Sequence, residues 1–254
     1  RGRWRPSACR GWPGKGPARL SSFIASLLST FDPAKATPDA VFPGTGIRVY
    51  GSATSTPFLY VCDSGNNRIQ VTDFVGNPLF TFGSYGTGNG QFNSPYGVTN
   101  DNEFVYVTDS GNHRVKKFTL LGAYVDQWGA YGTGNGQFSS PKGIAVNERF
   151  VFVVDQGNNR FQVFTKSGVF LMAVGKFGYG PGNDVLNAPT NCSVDEYYLW
   201  IDDTGNGYIK YYELNFIGDY GAVVLPAVTV NAHGGWPSGR GNVVLPAVIV
   251  SAHG

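Results

Sequence analysis

Apolar residues in this chain fall in short runs, not at helical spacing. FLYVCD (58–63), FVYVTD (104–109) and FVFVVD (150–155) are nearly continuous apolar segments closed by aspartate. A Gly/Asn turn follows each of them, and then a run of mixed character, RIQVT, RVKKFT or RFQVFT. Short runs of this kind, bounded by Gly, Asn and Asp clusters, predict strands, and the continuous ones predict strands covered on both faces. In the unit that begins at Pro95 the pattern predicts strands over Gly97–Asn100, Phe104–Asp109, Arg114–Thr119 and Ala123–Gly129. The first is short, as suits a strand near a central axis. A barrel or open sheet of alternating strands and helices needs helical patterns of about 10–15 residues between strands, and none fits here.

The unit recurs. DSGNNR begins at Asp63, DSGNHR at Asp109 and DQGNNR at Asp155, both intervals being 46 residues, and a degenerate DTGNGY begins at Asp203 after 48. Phe82-Gly83, Trp128-Gly129 and Val174-Gly175 keep the same step. YGTGNGQFNSP (85–95) and YGTGNGQFSSP (131–141) are nearly identical, with YGPGNDVLNAP at 179–189 as a divergent version. Four strands per unit of about 40–50 residues is the signature of a β-propeller blade. The expected fold is therefore all-β: a propeller of about four four-stranded blades over residues 42–222, after a basic, irregular arm at 1–41 and before a β-type tail at 223–254.

The turn itself needs no ligand to explain it. Asp63, Asp109 and Asp155 end a strand where a carboxylate can accept N–H groups of the turn. Gly65, Gly111 and Gly157 are expected to supply a positive φ, which the following Asn66, Asn112 and Asn158 also tolerate. Arg68, Arg114 and Arg160 open the next strand within reach of a neighbouring carboxylate or carbonyl. The same set in every blade points to a structural role, since a catalytic site is normally unique within a ring.

The pattern GxxGxGxGQFxxPxGIAVxxxxxVFVVDxGNNRxQVF, which stands here as Gly129 to Phe164 with a clear copy at Gly83–Phe118, resembles the NHL repeat. Gly51–Phe74 matches in its second half and Pro189–Tyr212 loosely, so the resemblance covers about residues 42–222. It implies a propeller of four-stranded blades. Its members include RNA-binding modules, extracellular sensor domains, scaffold proteins and a propeller lyase that amidates peptides, so the resemblance alone selects no activity. Propellers of this family commonly have six blades and this chain shows four, at the small end of the known range. Pro43 lies 20 residues before Asp63 whereas Pro141 lies 14 before Asp155, so the first blade also carries an insertion. Three arrangements satisfy the count: the ring closes with four blades, two or more chains share a ring, or other segments cover open edges, which are association surfaces.

Charge narrows the partners. Residues 1–41 hold seven Lys/Arg against Asp32 and Asp39, a balance of +5, while residues 42–222 hold eleven against fifteen Asp/Glu, a balance of −4. A mildly acidic body disfavours a specific nucleic-acid surface. The three cysteines, Cys9, Cys62 and Cys192, form no CxxC pair, so a zinc site is not expected, and Cys62 and Cys192 read as small core residues. No run of 18 apolar residues exists, so no membrane insertion is expected.

The search for chemistry returns little. Of the three histidines, His113 sits in the repeat turn where other units have Asn67 and Asn159, and reads as a surface residue. His233 and His253 are equivalent tail positions. The lyase that the resemblance brings in requires a set of histidine metal ligands inside the propeller, more than this sequence offers. No P-loop, nucleophile elbow, HExxH or EF-hand pattern occurs. Asp195-Glu196 and Asp202-Asp203 read as solvated loop charge rather than a calcium site. Tyr85, Tyr131 and Tyr179, with Phe92 and Phe138, read as packing between blades, the tyrosines being alternatively exposed groups for glycan or protein.

The tail repeats VVLPAVTVNAHG (223–234) as VVLPAVIVSAHG (243–254), a period of 20 residues. Its apolar positions, Val224, Leu225, Val228 and Val230, then Val244, Leu245, Val248 and Val250, are candidate assembly residues. Pro226 and Pro246 require that each strand be an edge or begin after the proline. A free segment of this composition invites aggregation, so it is expected to pair with the fourth blade or with another subunit. The alternative is that Val223–Leu225 completes the fourth blade's outer strand. These arrays resemble repeats of phage and microbial surface structural proteins. Together the features predict a non-enzymatic interaction or structural module without cofactor, with protein partners, in an extracellular, surface or virion assembly. The alternatives are a metal-dependent lyase-type propeller enzyme and an RNA-binding module.

Overall fold

The computed structural model describes residues 47–50 and 58–214, apart from 74, 75, 181, 183 and 196, together with strand backbone at 223–224, 229–232, 243–244 and 249–250. The arm at 1–41 lies outside the described residues, as do Leu225, Val228, Leu245, Val248, His233 and His253. No helix among the described residues is long and apolar enough to cross a membrane.

The first sheet runs β1 (Ile47–Tyr50), β2 (Phe58–Asp63), β3 (Arg68–Thr72), β4 (Pro78–Phe82) in that order, each strand antiparallel to the next. The second sheet is built the same way from β5 (Pro95–Asn100), β6 (Phe104–Asp109), β7 (Arg114–Thr119) and β8 (Tyr124–Trp128). The third consists of β9 (Pro141–Val146), β10 (Phe150–Asp155), β11 (Arg160–Thr165) and β12 (Phe170–Val174). Two-residue strands β13 (Lys176–Phe177) and β14 (Val185–Leu186) then pair in parallel. They occupy the loop that Tyr85–Phe92 and Tyr131–Phe138 bridges close in the earlier units. The fourth sheet takes β15 (Asn191–Val194), β16 (Tyr198–Asp203) and β17 (Tyr208–Glu213), and is completed by the tail. These meandering antiparallel sheets, three of four strands and one of five, are the expected all-β blades.

The core explains the apolar runs. Each second strand sends alternate side chains to opposite neighbours. Val105 and Val107 pack with Tyr60, Cys62, Ile69 and Val71 of the first blade, while Tyr106 between them packs with Ile144, Val151 and Val153 of the third. Val151 and Val153 face back in the same way, and Phe152 and Val154 face forward onto Leu199, Ile201 and Tyr212 of the fourth. A strand buried on both faces must be apolar throughout, which is why FVYV and FVFV carry no alternation. Cys62 and Cys192 are buried in these layers.

Inner strands converge closely. A Cβ at Gly97 would stand 2.5 Å from the Lys142 carbonyl oxygen, and one at Gly143 would stand 2.6 Å from Asn191 Cα. Only glycine lets the backbones approach so near. The sequence of packed inner strands is β1, β5, β9, β15. Each of these inner strands packs on the next in the order of the chain.

The tail differs from one expectation. Val223–Val224 (β18) does not extend the fourth blade. Instead Thr229–Ala232 (β19) pairs antiparallel with β17, Lys210 opposite Ala232 and Glu213 opposite Thr229, and Val243–Val244 (β20) adds a fifth strand beyond it. The β18 strand pairs with Ile249–Val250 (β21), Val223 opposite Val250 and Val224 opposite Ile249. β19 and β21 begin after Pro226 and Pro246, as expected of a residue with no N–H to give to a ladder. The backbone of Val224, Val230, Val244 and Val250 thus lies in strands that link the two tail copies to each other and to the fourth blade.

Candidate functional site

The repeated turn is the most polar feature of the buried structure. Each second strand ends on an aspartate that is at most 1% exposed, followed by one 3₁₀ turn: Ser64–Asn66, Ser110–Asn112, Gln156–Asn158 and Thr204–Asn206. The aspartate makes no side-chain bond to the N–H groups of its own turn, contrary to the sequence expectation. Its Oδ1 instead accepts a backbone N–H from the loop sixteen residues earlier: Asn93 for Asp109, Ser139 for Asp155 and Asn187 for Asp203, each at 2.7 Å. Its Oδ2 accepts the arginine Nε, Arg68 to Asp63 and Arg114 to Asp109 at 2.9 Å and Arg160 to Asp155 at 2.8 Å. Asn66, Asn112 and Asn158 Nδ2 donate to the same carboxylates. Asn112 and Asn158 also donate to Gly86 and Gly132 carbonyls at 2.8 Å, tying the turn to the preceding Gly-rich loop. Charge-assisted bonds of this number satisfy a carboxylate that burial would otherwise strongly disfavour.

The glycine has a different role from the one its type suggests. Gly65, Gly111 and Gly157 lie inside the 3₁₀ turns and are not among the positive-φ residues. Gly111 and Gly157 are required by contact: an added Cβ would meet Asn93 Cγ at 2.5 Å and Ser139 Oγ at 2.4 Å, because the glycine N–H donates to the carbonyls of those residues at 2.8 Å. The left-handed residue is two positions later, Asn67, His113, Asn159 and Gly207, with φ of 54°, 56°, 53° and 70°.

Those left-handed residues join the blades. Asn67 Oδ1 accepts from Ser94 N at 2.8 Å, His113 Nδ1 from Ser140 N at 3.0 Å and Asn159 Oδ1 from Ala188 N at 2.8 Å, each across to the next unit. His113 is half-buried, and its ring stands 4.9 Å from Tyr131. It is thus a joint between blades and not a surface ornament. His113→Asn should leave stability within about 0.5 kcal/mol, since Asn fills this role twice already. His113→Ala should cost about 1–3 kcal/mol, from a lost hydrogen bond and a left-handed alanine. Urea denaturation midpoints of the two variants decide it, and equal losses would sink the joint.

Sequence reasoning missed a further member. Gln70, Lys116, Gln162 and Lys210 recur at intervals of 46, 46 and 48, two positions after the arginine or its equivalent. Gln70 and Gln162 Nε2 donate to Asp63 and Asp155 at 2.9 and 3.0 Å. Lys210 Nζ pairs with Asp203 Oδ2 at 2.8 Å. Lys116, fully buried, donates to the carbonyls of Gly88, Asn89 and Gln91. Burial, with Arg114 nearby, lowers its pKa to about 8 from the usual 10.5. The unfolded chain therefore holds more protons between those values, and stability rises with pH wherever that is so. Relative to Lys116→Gln, the native chain should gain stability as pH climbs from about 8 toward 10.5. Parallel pH profiles of the two melting temperatures would rule this out.

The acidic loops of the fourth unit are held locally. Asp195 Oδ1 accepts the N–H groups of Tyr197 and Tyr198, and Asp202 accepts Thr190 and Thr204 hydroxyls. Among the described residues no three His, Cys, Asp or Glu side chains group as metal donors.

The aromatic pairs of the Gly-rich loops separate. Phe92 and Phe138 are fully buried between blades, as expected, but Tyr85, Tyr131 and Tyr179 are 70%, 72% and 79% exposed. The tyrosines are not blade packing. Each loop folds over itself, Gly86 N to Phe92 O at 2.9 Å and Gly132 N to Phe138 O at 3.1 Å, and this sends one ring in and the other out.

The geometry defines an all-β protein of propeller blades held by buried Asp–Asn–Arg turns. The family model described as NHL repeat matches residues 92–118, which run from Phe92 through β5, β6 and β7 to Phe118, so the second blade carries an NHL repeat. No curated protein matches the chain in sequence. Solved structures similar to it include a streptogramin B lyase, at 13% identity and TM-score 0.48, covering 70% of this chain and 54% of that one. The virginiamycin B lyase from Staphylococcus aureus is similar at 18% identity and TM-score 0.47, covering 70% and 55%. A catalytically inactive variant of that lyase with quinupristin is similar at 19% identity and TM-score 0.45, covering 70% and 56%. The chain spans about half the length of these structures.

Proposed function

We propose that the chain is a non-enzymatic β-propeller module that acts through protein association, as a building unit of an extracellular, surface or virion assembly. One observation carries this reading: the repeat buries the aspartates of its turns and leaves three equivalent loop tyrosines outside. The aspartates, arginines and lysines of the turns are engaged with one another and with loop carbonyls. Three tyrosines at equivalent positions stand outside, and exposed aromatics are the side chains most enriched where proteins meet. The tail supports the same reading, because its strands add to the outer edge of the fourth blade, and strand addition is a common route of association.

The test is absolute mass in solution, by light scattering, for the full chain and for one ending at residue 222. The full chain should form defined multimers and the shortened one smaller species. A full chain that stays monomeric at every concentration removes the proposal.

A further inference from the structure

The setting of the exposed tyrosines narrows what they can hold. Tyr85, Tyr131 and Tyr179 each leave most of the ring in solvent. A ring this free is an open platform, not the wall of a groove that grips an extended peptide. The loops around the first two hold no Asp, Glu, Lys or Arg, since YGTGNGQF reads the same at 85–92 and 131–138. Thr87, Asn89, Thr133 and Asn135 are exposed in them, so the loop surface is polar and neutral. Each loop is also pinned from within. Gln91 Oε1 accepts from Gly88 N, and Gln137 Oε1 from Gly134 N, both at 3.0 Å. A surface shaped before its ligand arrives loses less freedom on binding.

A hydrogen-bond donor accompanies the platform. His113 Nδ1 accepts from Ser140 N, so the proton of the neutral imidazole is on Nε2, in a ring 4.9 Å from that of Tyr131. Asn67 precedes Tyr85 by the same 18 residues, and its Oδ1 accepts in the same way, which keeps both Nδ2 protons to give. Asn159 does so ahead of Tyr179. Among the described residues no group accepts from these three nitrogens. The third unit varies the theme: Phe177 adds a second exposed ring 5.3 Å from Tyr179, and the one charge of the loop, Asp184, is paired with Lys176 at 2.6 Å.

We infer that the Gly-rich loops bind an uncharged polysaccharide, one sugar ring over each of Tyr85, Tyr131 and Tyr179. A pyranose has an apolar C–H face, which lies on the negative face of an aromatic ring, and rim hydroxyls, which accept from Asn67 and His113 and exchange hydrogen bonds with neutral amides and hydroxyls. The absence of loop charge selects against the alternatives. A phosphate, sulfate or carboxylate would lose its hydration there and gain no counter-ion, which also sets nucleic acid aside. One site per blade suits a ligand that itself repeats, because linked weak sites bind far more tightly than one. The inference goes beyond the proposed association: it gives the tyrosines to a glycan and leaves the joining of copies to the tail strands.

Depletion of the full chain from solution by particles of cellulose, chitin, β-1,3-glucan, mannan and starch tests it. Carboxymethyl-cellulose is the charged counterpart, and all are run in salt high enough to screen charge. At least one uncharged polymer should deplete the chain. Tyr131→Ala should weaken that binding about tenfold, and Tyr85→Ala combined with Tyr131→Ala roughly a hundredfold. Tyr131→Phe keeps the platform and should bind within about threefold of the native chain. The rings are exposed, so every variant should melt at the native temperature. No depletion by any of the uncharged polymers, depletion that the double variant retains, or binding to carboxymethyl-cellulose alone overturns the inference. If the double variant instead loses mass by light scattering and no polymer binds, the tyrosines are protein contacts: the inference falls and the association stands. A full chain that is monomeric yet depleted upholds the inference and removes the association.

Discussion

Replacing Asp155 with alanine should destabilise the protein by about 3–5 kcal/mol, the usual cost of removing one partner from a buried ion pair. The carboxylate gathers four donors: Ser139 N at 2.7 Å, Arg160 Nε at 2.8 Å, Asn158 Nδ2 at 2.9 Å and Gln162 Nε2 at 3.0 Å. Alanine leaves all four pointing into a space that water does not reach, with a guanidinium among them. Asp155→Asn keeps the shape but turns an N–H₂ toward other donors, so it should recover less than half of the loss. Asp126→Ala is the control, because that carboxylate is exposed and, among the described residues, accepts its neighbour's N–H, Gln127 at 2.8 Å, and it should change stability by no more than about 0.5 kcal/mol. Urea unfolding followed by tryptophan fluorescence measures all three. A loss below about 1 kcal/mol for Asp155→Ala would show that the clasp does not hold the blade.

Phe138→Ala should cost about as much, 3–5 kcal/mol, by a different mechanism. The ring is fully buried where the second and third blades meet, 5.6 Å from Phe164, and lies so close over Gly129 that a Cβ there would stand 2.5 Å from its edge. Truncation leaves a cavity flanked by two rigid sheets that cannot close on it. Phe138→Leu should be markedly milder, because Leu186 fills the equivalent position in the fourth unit. The pair of variants separates the two causes: equal losses would mean that ring geometry, not filled volume, holds the interface.

Blade architecture was legible because its signals are local. Strands β6 and β7 occupy Phe104–Asp109 and Arg114–Thr119, and an apolar run closed by Asp, a Gly-Asn turn and an Arg-led run specify them with no reference to distant residues. The turn's residues were legible as a set, but their tasks were not. Gly111 is glycine because Asn93, eighteen residues earlier, lies against it, and His113 matters because Ser140 is twenty-seven residues later. Nothing near either residue carries that information. Residue type misled at the same place, since glycine suggests a positive φ and here the neighbouring Asn or His adopts it. The tyrosines and phenylalanines of the Gly-rich loops recur with equal regularity, and only the fold of the loop decides which ring enters the core. The tail's composition announced strands, but not that β19 pairs with β17 or β18 with β21.

The tail pairing has one more property. Numbering each copy from its first valine, position 1 meets position 8 and position 2 meets position 7, in β18–β21 and again in β19–β20: Val223 with Val250, Val224 with Ile249, Thr229 with Val244 and Val230 with Val243. The motif is a palindrome in the language of antiparallel strands, a segment that is its own template. A self-templating segment has a parity: an even number of copies can satisfy one another, and an odd one leaves a strand whose best match is another of its kind. Duplication of such a unit therefore needs no new complementary sequence.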